Sequence, residues 1–320
     1  MLQKYQRVLV AGGAGFIGSH IVDELLKANI DVTVLDNLST GRMENLKQHR
    51  HNKNLHFVKG DIRKAGHVRE AIKNADAVFN DAAVVSVRLS VENPLLINAV
   101  NVNGALNLLK ASVDCCVKRF VQASSASIYG ETKTLPVTED MSPQPISPYA
   151  VSELAAENYA RVFHKVYGLE TICLRYFNVY GPRQLYSEYT GAITIFMNRL
   201  LHNHPLTIYG DGEQTRDFVY VEDVARANML ALAKKEASGG VFNIATGTAT
   251  SINTLVQTLM RTMTKTHRRP SYGKLKPGEI KHSYASIEKA KKTLRYKPMF
   301  TIDKGLRKLV EWYTSSPKRP

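Results

Sequence analysis

An α/β fold is what this sequence predicts: a doubly wound parallel sheet with a smaller C-terminal substrate-binding domain over the carboxyl ends of its strands. Three observations carry that expectation. Short apolar runs of strand length alternate with helix-period segments through the first 180 or so residues. A glycine-rich turn, Gly12-x-x-Gly15-x-x-Gly18, lies between the first apolar run and the first helix. An acid, Asp36, ends the second run about 20 residues further on, the spacing at which a carboxylate meets the ribose of a dinucleotide.

The composition sets bounds. The chain has 320 residues, 44% hydrophobic and 22% charged, which suits a globular protein with a sizeable core. No apolar run approaches the roughly 18 residues of a membrane-spanning helix. Met1 to Val10 runs straight into a strand with no signal-peptide pattern, so a cytoplasmic location is expected. The cysteines, Cys115, Cys116 and Cys173, are odd in number and lack metal-ligand spacing; reduced thiols and no metal are expected. The net charge of +15 is concentrated: residues 261–320 hold 17 Lys and Arg against 4 Asp and Glu. A solvated basic face is the plain reading, and an anionic nucleotide substrate the functional one. Nucleic acid or an anionic surface is a reading of another class. No zinc pattern, RNP-type aromatic motif or helix-turn-helix signature supports it, and no nucleic acid partner is expected.

Taken in order, Arg7 to Ala11 forms a buried parallel strand and Ser19 to Ala28 an amphipathic helix. The glycines between them let the backbone approach a pyrophosphate seated on the helix N-terminus, the arrangement of a Rossmann-type dinucleotide site. Asp31 to Leu35 is the second strand. Asp36 at its end hydrogen-bonds a ribose 2′-hydroxyl and repels a 2′-phosphate, so NAD is expected over NADP. His56 to Gly60 is the third strand, leading to Asp61 and Ile62. Ala77 to Asn80 is the fourth, running into Asp81, Ala82 and Ala83, small enough for close passage of the backbone. Asn93 to Val117 reads as one long helix and Phe120 to Ser124 as the fifth strand, which delivers Ser125. A helix from about Tyr149 to Tyr167 and a strand, Glu170 to Tyr176, complete the nucleotide half. Beyond Gly181 the pattern gives a helix (Ile193 to His202), a strand (Leu206 to Tyr209), a turn and strand (Gly210 to Phe218), a strand (Val241 to Ile244), a helix (Ile252 to Thr264) and a last helix (Asp303 to Tyr313). Residues 1–180, with 216–246 returning to them, are expected to bind the dinucleotide, and 181–320 mainly the substrate, the two interleaved.

The chemistry is carried by Ser124-Ser125-Ala126-Ser127-Ile128-Tyr129-Gly130 and Ser147-Pro148-Tyr149-Ala150-Val151-Ser152-Glu153. A tyrosine opening a helix beside a serine at a strand end forms a proton relay. Tyrosine is a weak base at its reference pKa of roughly 10, and a cation at i+4 would favour its phenolate. Here Glu153 occupies i+4. With Ser147 to Glu157 and Arg175-Tyr176-Phe177-Asn178-Val179-Tyr180-Gly181-Pro182-Arg183-Gln184, these segments resemble extended short-chain dehydrogenase/reductases of the NAD-dependent epimerase/dehydratase family, in the UDP-glucose and UDP-N-acetylglucosamine 4-epimerase branch. The likeness runs from about residue 7 to residue 313. It departs at Asn80, where the family more often has histidine, at Glu153, where it has lysine, and at Lys276, where arginine is usual.

The resemblance implies a reaction and its site. Tyr149 takes the sugar 4-hydroxyl proton with Ser125 as relay, hydride passes to NAD, and the 4-keto sugar turns over before hydride returns to its other face. The cofactor would be held by Gly12, Gly15, Phe16, Ile17, Gly18, Asp36, Asn37, Ser39, Gly41, Asp61, Ile62, Ala82, Ala83, Val85, Tyr149 and Phe177. The UDP-sugar would meet Ser125, Tyr149, Asn178, Tyr209, Arg216, Lys276 and Ser283, with Arg216 as phosphate ligand and Tyr209 beside the uracil. Ala126-Ser127 lacks the acids that dehydratases and decarboxylases place there, which favours epimerisation. Ser283, small where a tyrosine confines some epimerases to plain hexoses, implies that UDP-GlcNAc and UDP-GalNAc are accepted with UDP-glucose and UDP-galactose. A homodimer through the helices near 93–117 and 149–167 is implied as well.

Glu153 sharpens the expectation. The family's lysine holds the nicotinamide ribose and lowers the tyrosine pKa. Reversing one charge at ~5 Å and effective dielectric ~20 swings Tyr149 by up to roughly 6 kcal/mol. The sequence therefore leaves three readings: an epimerase with a weakened or rerouted relay, an NAD- and UDP-sugar-binding protein with little turnover, or a substituted position.

Overall fold

The computed structural model describes residues 4–186, 191–266, 268–274 and 280–315. Its centre is a seven-stranded parallel sheet of β1 (Arg7–Ala11), β2 (Asp31–Asp36), β3 (Leu55–Lys59), β4 (Ala77–Asn80), β5 (Arg119–Ser125), β6 (Glu170–Tyr176) and β11 (Val241–Ile244), in the order β11-β6-β5-β4-β1-β2-β3. Val8 lies opposite Val32 on one side and Ala77 on the other, so β1 is central. A central strand must be apolar on both faces, and β1 alternates accordingly. Val8 and Val10 pack into one buried cluster and Leu9 and Ala11 into another.

Helices cover both faces. On the Val8 side lie α1 (Phe16–Lys27) and α8 (Val221–Ala233), through Ile21, Val22, Leu25, Val224, Ala227 and Ala231. On the Leu9 side lie α2 (Ala65–Ala71), α5 (Ala105–Asp114) and α6 (Pro148–Tyr167), through Val68, Leu108, Leu109, Ala160 and Phe163. α3 (Val87–Glu92) and α4 (Pro94–Asn98) precede α5, and a π-helical stretch, Ala99–Gly104, joins α4 to α5. The long helix expected over Asn93 to Val117 is thus real in outline, but it carries that π stretch and ends at Asp114.

The second lobe has its own core. α7 (Ala192–Leu201), α9 (Ile252–Thr262) and α11 (Ile302–Thr314) enclose Ile193, Met197, Leu255, Leu259, Leu306 and Leu309. Short strands form three small separate sheets: β7 (Asn178–Tyr180) with β10 (Phe218–Tyr220), β9 (Thr215–Arg216) between β12 (Thr250–Ser251) and β14 (His282–Ser283), and β8 (Thr207–Tyr209) with β13 (Ser271–Gly273). α10 (Glu288–Leu294) packs against β11. β11 comes from the C-terminal half yet forms an edge of the large sheet beside β6, pairing Ile244 with Tyr176.

Two differences from the sequence reading have physical causes. α1 begins at Phe16 rather than Ser19, because the glycine turn feeds the helix directly, with Gly15 as its N-cap. α8 was not expected. Its buried face mixes small and polar residues (Asp223, Ala225, Ala227, Asn228) with Val221, Val224 and Leu232, which weakens the hydropathy contrast.

Candidate active site

The cofactor side is built at the carboxyl ends of β1 to β4. Gly12 has φ +78°, and a Cβ there would lie 2.8 Å from the Ala82 backbone nitrogen, so the first turn sits directly against the end of β4. α1 has no side-chain N-cap and no acid in its first turn. Gly15 N donates to the Gly12 carbonyl at 2.9 Å, and the N–H groups of Phe16 and Ile17, without a side-chain cap, form the positive end of the helix dipole, a seat for an anion. Asp36 is nearly buried; its Oδ2 accepts from Ala14 N at 3.0 Å and its Oδ1 from Leu38 N at 2.8 Å. Burial raises its pKa and those two amides oppose the rise. Gly41 passes close enough that a Cβ would meet Asp36 Oδ1 at 2.7 Å.

The flanking residues complete the cradle. Asn37 accepts from Ser39 N at 2.9 Å and donates to Asp61 Oδ2 at 3.4 Å. The Arg63 guanidinium, bonded to both Asp61 oxygens, holds that carboxyl at about 2. Ile62 is buried, Ala82 and Ala83 are half-buried, and Val85 is exposed. A close-approach glycine turn, an uncapped helix N-terminus and a fixed carboxylate at the second strand fit a dinucleotide with a free 2′-hydroxyl.

The catalytic side lies one strand further on. Ser147 opens α6 by accepting from Ala150 N at 3.1 Å, Pro148 takes the first helical position, and Gly168 ends the helix in the left-handed conformation. This places Tyr149, Glu153 and Glu157, four residues apart, on one buried face. Ser125, the last residue of β5, accepts from Ser127 N at 3.1 Å, and its hydroxyl lies beside the Tyr149 phenol. Burial, and then the neighbouring Glu153, push Tyr149 well above its ordinary pKa; the Ser125 hydroxyl opposes them.

Glu153 is itself perturbed. Burial, then Glu157 and Asp81, push it up to about 8, and Asn101 Nδ2 donates to its Oε1 at 3.4 Å. Asp81, after β4, is raised to about 7 by desolvation, countered by a hydrogen bond with Tyr176. Its rim position leaves it partly exposed, which moderates that shift. Arg175 is the guanidinium of this region and is fully engaged. Its Nε and Nη2 meet Glu157 at 2.9 and 2.6 Å, and its Nη1 meets Tyr129 Oη at 2.6 Å and the Glu139 carbonyl at 3.2 Å. Glu157 also accepts from Ser124 Oγ at 2.8 Å, and Tyr129 donates to Asn243 Oδ1 at 2.7 Å. This network ties β5, β6, β11 and α6 together directly beneath Ser125 and Tyr149.

A cavity of about 340 Å³ is lined by Asn178, Tyr180, Gln184, Ile193, Arg216 and Phe218, among others. Arg216 donates through Nη1 to the Thr215 and Lys281 carbonyls at 2.8 and 3.3 Å. Asn178 donates to the Asp217 carbonyl at 3.3 Å. Ser283 lies opposite Arg216 in the β14–β9 pairing. Tyr209 is 42% exposed on β8, and Gln214 Nε2 donates to its carbonyl at 2.7 Å; it is not among the cavity-lining residues. Phe177 is buried against Tyr129, ring centroids 6.4 Å apart. Lys276 lies outside the described residues.

Ser125, Tyr149 and Glu153 thus come together, as do the glycine turn with Asp36, and Asn178 with Arg216. Asp81, Asn101, Gln184 and the Arg175–Glu157 pair were not singled out from the sequence. Glu157, Arg175 and Gln184 lie within the segments that carry the resemblance, and Glu157 also stands eight residues beyond Tyr149 on the same helix face.

Among the described residues no cluster of three His, Cys, Asp or Glu side chains could hold a metal, and no helix is long and apolar enough to cross a membrane. Residues 8–245 match the model of the NAD dependent epimerase/dehydratase family. A putative UDP-glucose 4-epimerase of Methanocaldococcus jannaschii is 41% identical over 307 residues, 95% of this chain and 97% of that one. The UDP-N-acetylglucosamine 4-epimerase of Methanobrevibacter ruminantium, solved with UDP-N-acetylmuramic acid, superposes with a TM-score of 0.92 at 39% identity, covering 98% of this chain and 99% of that one. The UDP-glucose 4-epimerase of Thermotoga maritima, solved with UDP-glucose, gives 0.91 at 39% identity, covering 97% and 99%. With the glycine turn, the Asp36 carboxylate and the Ser125–Tyr149 pair in place along the matched length, the chain belongs to the NAD dependent epimerase/dehydratase family.

Proposed function

We propose that this protein is an NAD-dependent UDP-sugar 4-epimerase. The observation that carries the reading is the half-buried Ser125 beside the buried Tyr149 at the opening of α6. Bound NAD supplies the reversible hydride acceptor for C4 of the sugar. Ser125 bridges the sugar 4-hydroxyl and the Tyr149 oxygen, and Tyr149 accepts the proton and later returns it. Glu153, at about 8, is mostly protonated at neutral pH, so its charge does not disfavour the Tyr149 phenolate that takes the proton there. Asn178 and Arg216 take the diphosphate, the arginine by paired donors, with Lys276 as an additional cation. Tyr209 flanks the base. Asp36, Asn37, Ser39 and Gly41 take the adenosine ribose, Asp61 and Ile62 the adenine, and Gly12 to Gly18 the pyrophosphate. Ala82, Ala83, Val85 and Phe177 line the remainder.

The substrates proposed are UDP-glucose and UDP-galactose together with UDP-GlcNAc and UDP-GalNAc. Ser283, small and paired with Arg216 on the neighbouring strand, would leave room for the 2-acetamido group. Proton NMR of UDP-GlcNAc and UDP-glucose incubated with the NAD-loaded protein tests the reading through the appearance of the C4 epimer. Ser283→Tyr is expected to cut the rate on UDP-GlcNAc at least about tenfold relative to UDP-glucose; an unchanged ratio overturns the assignment of Ser283.

A second reading is favoured by the upward push on Tyr149: a protein that holds NAD and a UDP-sugar and turns over very slowly. Absence of epimer over hours, with NAD bound, selects it. We also propose residues 1–180 with 216–246 as the cofactor part and the rest as the substrate part, in a cytoplasmic homodimer. The dimer rests on the apolar side chains that α3, α4 and α6 leave exposed, Val91, Leu95, Val151, Val162 and Val166. Light scattering giving the mass of one chain overturns it.

A further inference from the structure

A second polar junction, half-buried, lies away from the catalytic cluster, where three segments meet. Asp23 on α1 accepts hydrogen bonds from Arg183 Nη2, His49 Nε2 and Gln48 Nε2, each at 2.8 Å. His20, one turn earlier on the same helix, meets the Pro182 carbonyl through Nε2 at 3.1 Å. Burial, and then the Arg183 charge, push His20 down to about 4, so at neutral pH it is an uncharged imidazole with its proton on Nε2. Burial opposes ionisation of Asp23, but the Arg183 charge and the three hydrogen bonds hold it below its ordinary value.

Each segment belongs to a binding element. Asp23 and His20 lie on the helix whose N-terminus closes the pyrophosphate cradle. Gln48 and His49 end the 3₁₀ segment that begins at Met43, directly after the Asp36–Arg42 ribose loop. Pro182 and Arg183 precede Gln184, which lines the nucleotide-sugar cavity and accepts from Thr194 Oγ1 at 2.7 Å. Arg183 holds φ +69°, a left-handed conformation that an arginine adopts at a cost. Its Nη1 is buried and has no hydrogen-bond partner among the described residues. A left-handed backbone and a guanidinium nitrogen without a partner among the described residues occur where the Gly181–Gln184 wall meets α1.

We propose that Arg183 is a positioning residue: its ion pair with Asp23 locks the wall of the nucleotide-sugar cavity onto the cofactor helix, and affinity for the nucleotide diphosphate depends on that lock. The inference rests on the function proposed above. It assigns Arg183 no contact with substrate.

The test is calorimetric titration of UDP into NAD-loaded protein, with NAD content measured on each preparation. Arg183→Met and Asp23→Asn are each expected to weaken UDP binding about tenfold and to raise KM alike with kcat within about twofold. The double variant is expected to be no weaker than either single one, since both remove the same interaction. Arg183→Lys, which keeps the charge, is expected to recover part of the affinity. Asp23→Asn keeps the side-chain shape, so it carries the test if Arg183→Met fails to fold. UDP affinity within about twofold of wild type in the folded variants overturns the proposal. So does loss of NAD with UDP binding unchanged, which would place the pair in the cofactor site. Failure of the wild-type protein to bind UDP at all would instead overturn the functional reading beneath it.

Discussion

Replacing Glu153 separates the charge of this position from its shape. With a pKa of about 8, Glu153 is about nine-tenths protonated at pH 7 and about nine-tenths ionised at pH 9. Residues at i and i+4 on a helix lie about 5–6 Å apart, and one charge at that distance with an effective dielectric of ~20 is worth about 3 kcal/mol, or about two pKa units on Tyr149. If half of that shift reaches the proton-transfer barrier, each unit of charge alters the rate about tenfold. Glu153→Gln, an analogue of the protonated carboxyl, should then match wild type within about threefold at pH 7 and exceed it about tenfold at pH 9. Glu153→Lys should gain about tenfold at pH 7. The assay is initial epimerisation rate by proton NMR from pH 6 to 9.5 on NAD-loaded protein, with NAD content checked at each pH. Identical pH profiles for wild type and Glu153→Gln would refute the electrostatic argument. Loss of activity in Glu153→Lys, with NAD retained, would show that the carboxyl has become a working part of the relay.

Other outcomes follow from the same buried groups. Glu153 binds its proton more tightly folded than unfolded, so its contribution to stability is full below about pH 4.5 and is lost as pH rises through about 8. Glu153→Gln should therefore raise the melting temperature by several degrees at pH 9 and little at pH 4.5; an equal effect at both pH values would contradict this. His20 is the opposite case. Its lowered pKa gives stability that is present above pH 6.5 and is lost as pH falls towards 4, and urea titrations of His20→Gln should show a shallower acid limb over that range. Glu157→Gln leaves Arg175 buried without its counter-charge and should cost about 3–5 kcal/mol by denaturant unfolding, whereas a surface pair such as Lys291–Glu288 should cost under about 1 kcal/mol.

The legible parts of the fold were those whose physics is local. The turn from β1 to α1 was readable because glycines at fixed spacing have few other uses between a strand and a helix. α6 was readable because Ser147, Pro148 and Gly168 mark its two ends. The short strands of the second lobe were less so, since two- or three-residue strands such as β9 and β12 exist only through their pairing. The site shows the same division. Tyr149, Ser125 and Glu153 stand out by spacing along the chain. Asp81 sits in a stretch legible only for its small residues, and its proximity to Glu153 depends on strand order. Arg183 and Asp23 are 160 residues apart, and nothing local links them.

The position of β11 has a consequence for how the protein comes into being. Until residue 244 has been synthesised, β6 is an open edge whose Thr171, Ile172, Cys173 and Leu174 are otherwise fully covered. A nascent chain or fragment ending near Tyr180 would present that edge to any other strand, the hazard that leads to self-pairing. Chaperone protection would be needed through that interval, and the two lobes should melt together rather than in sequence. A fragment of residues 1–180 that is monomeric and soluble, or two separate calorimetric transitions, would contradict this view of the protein as a single cooperative unit.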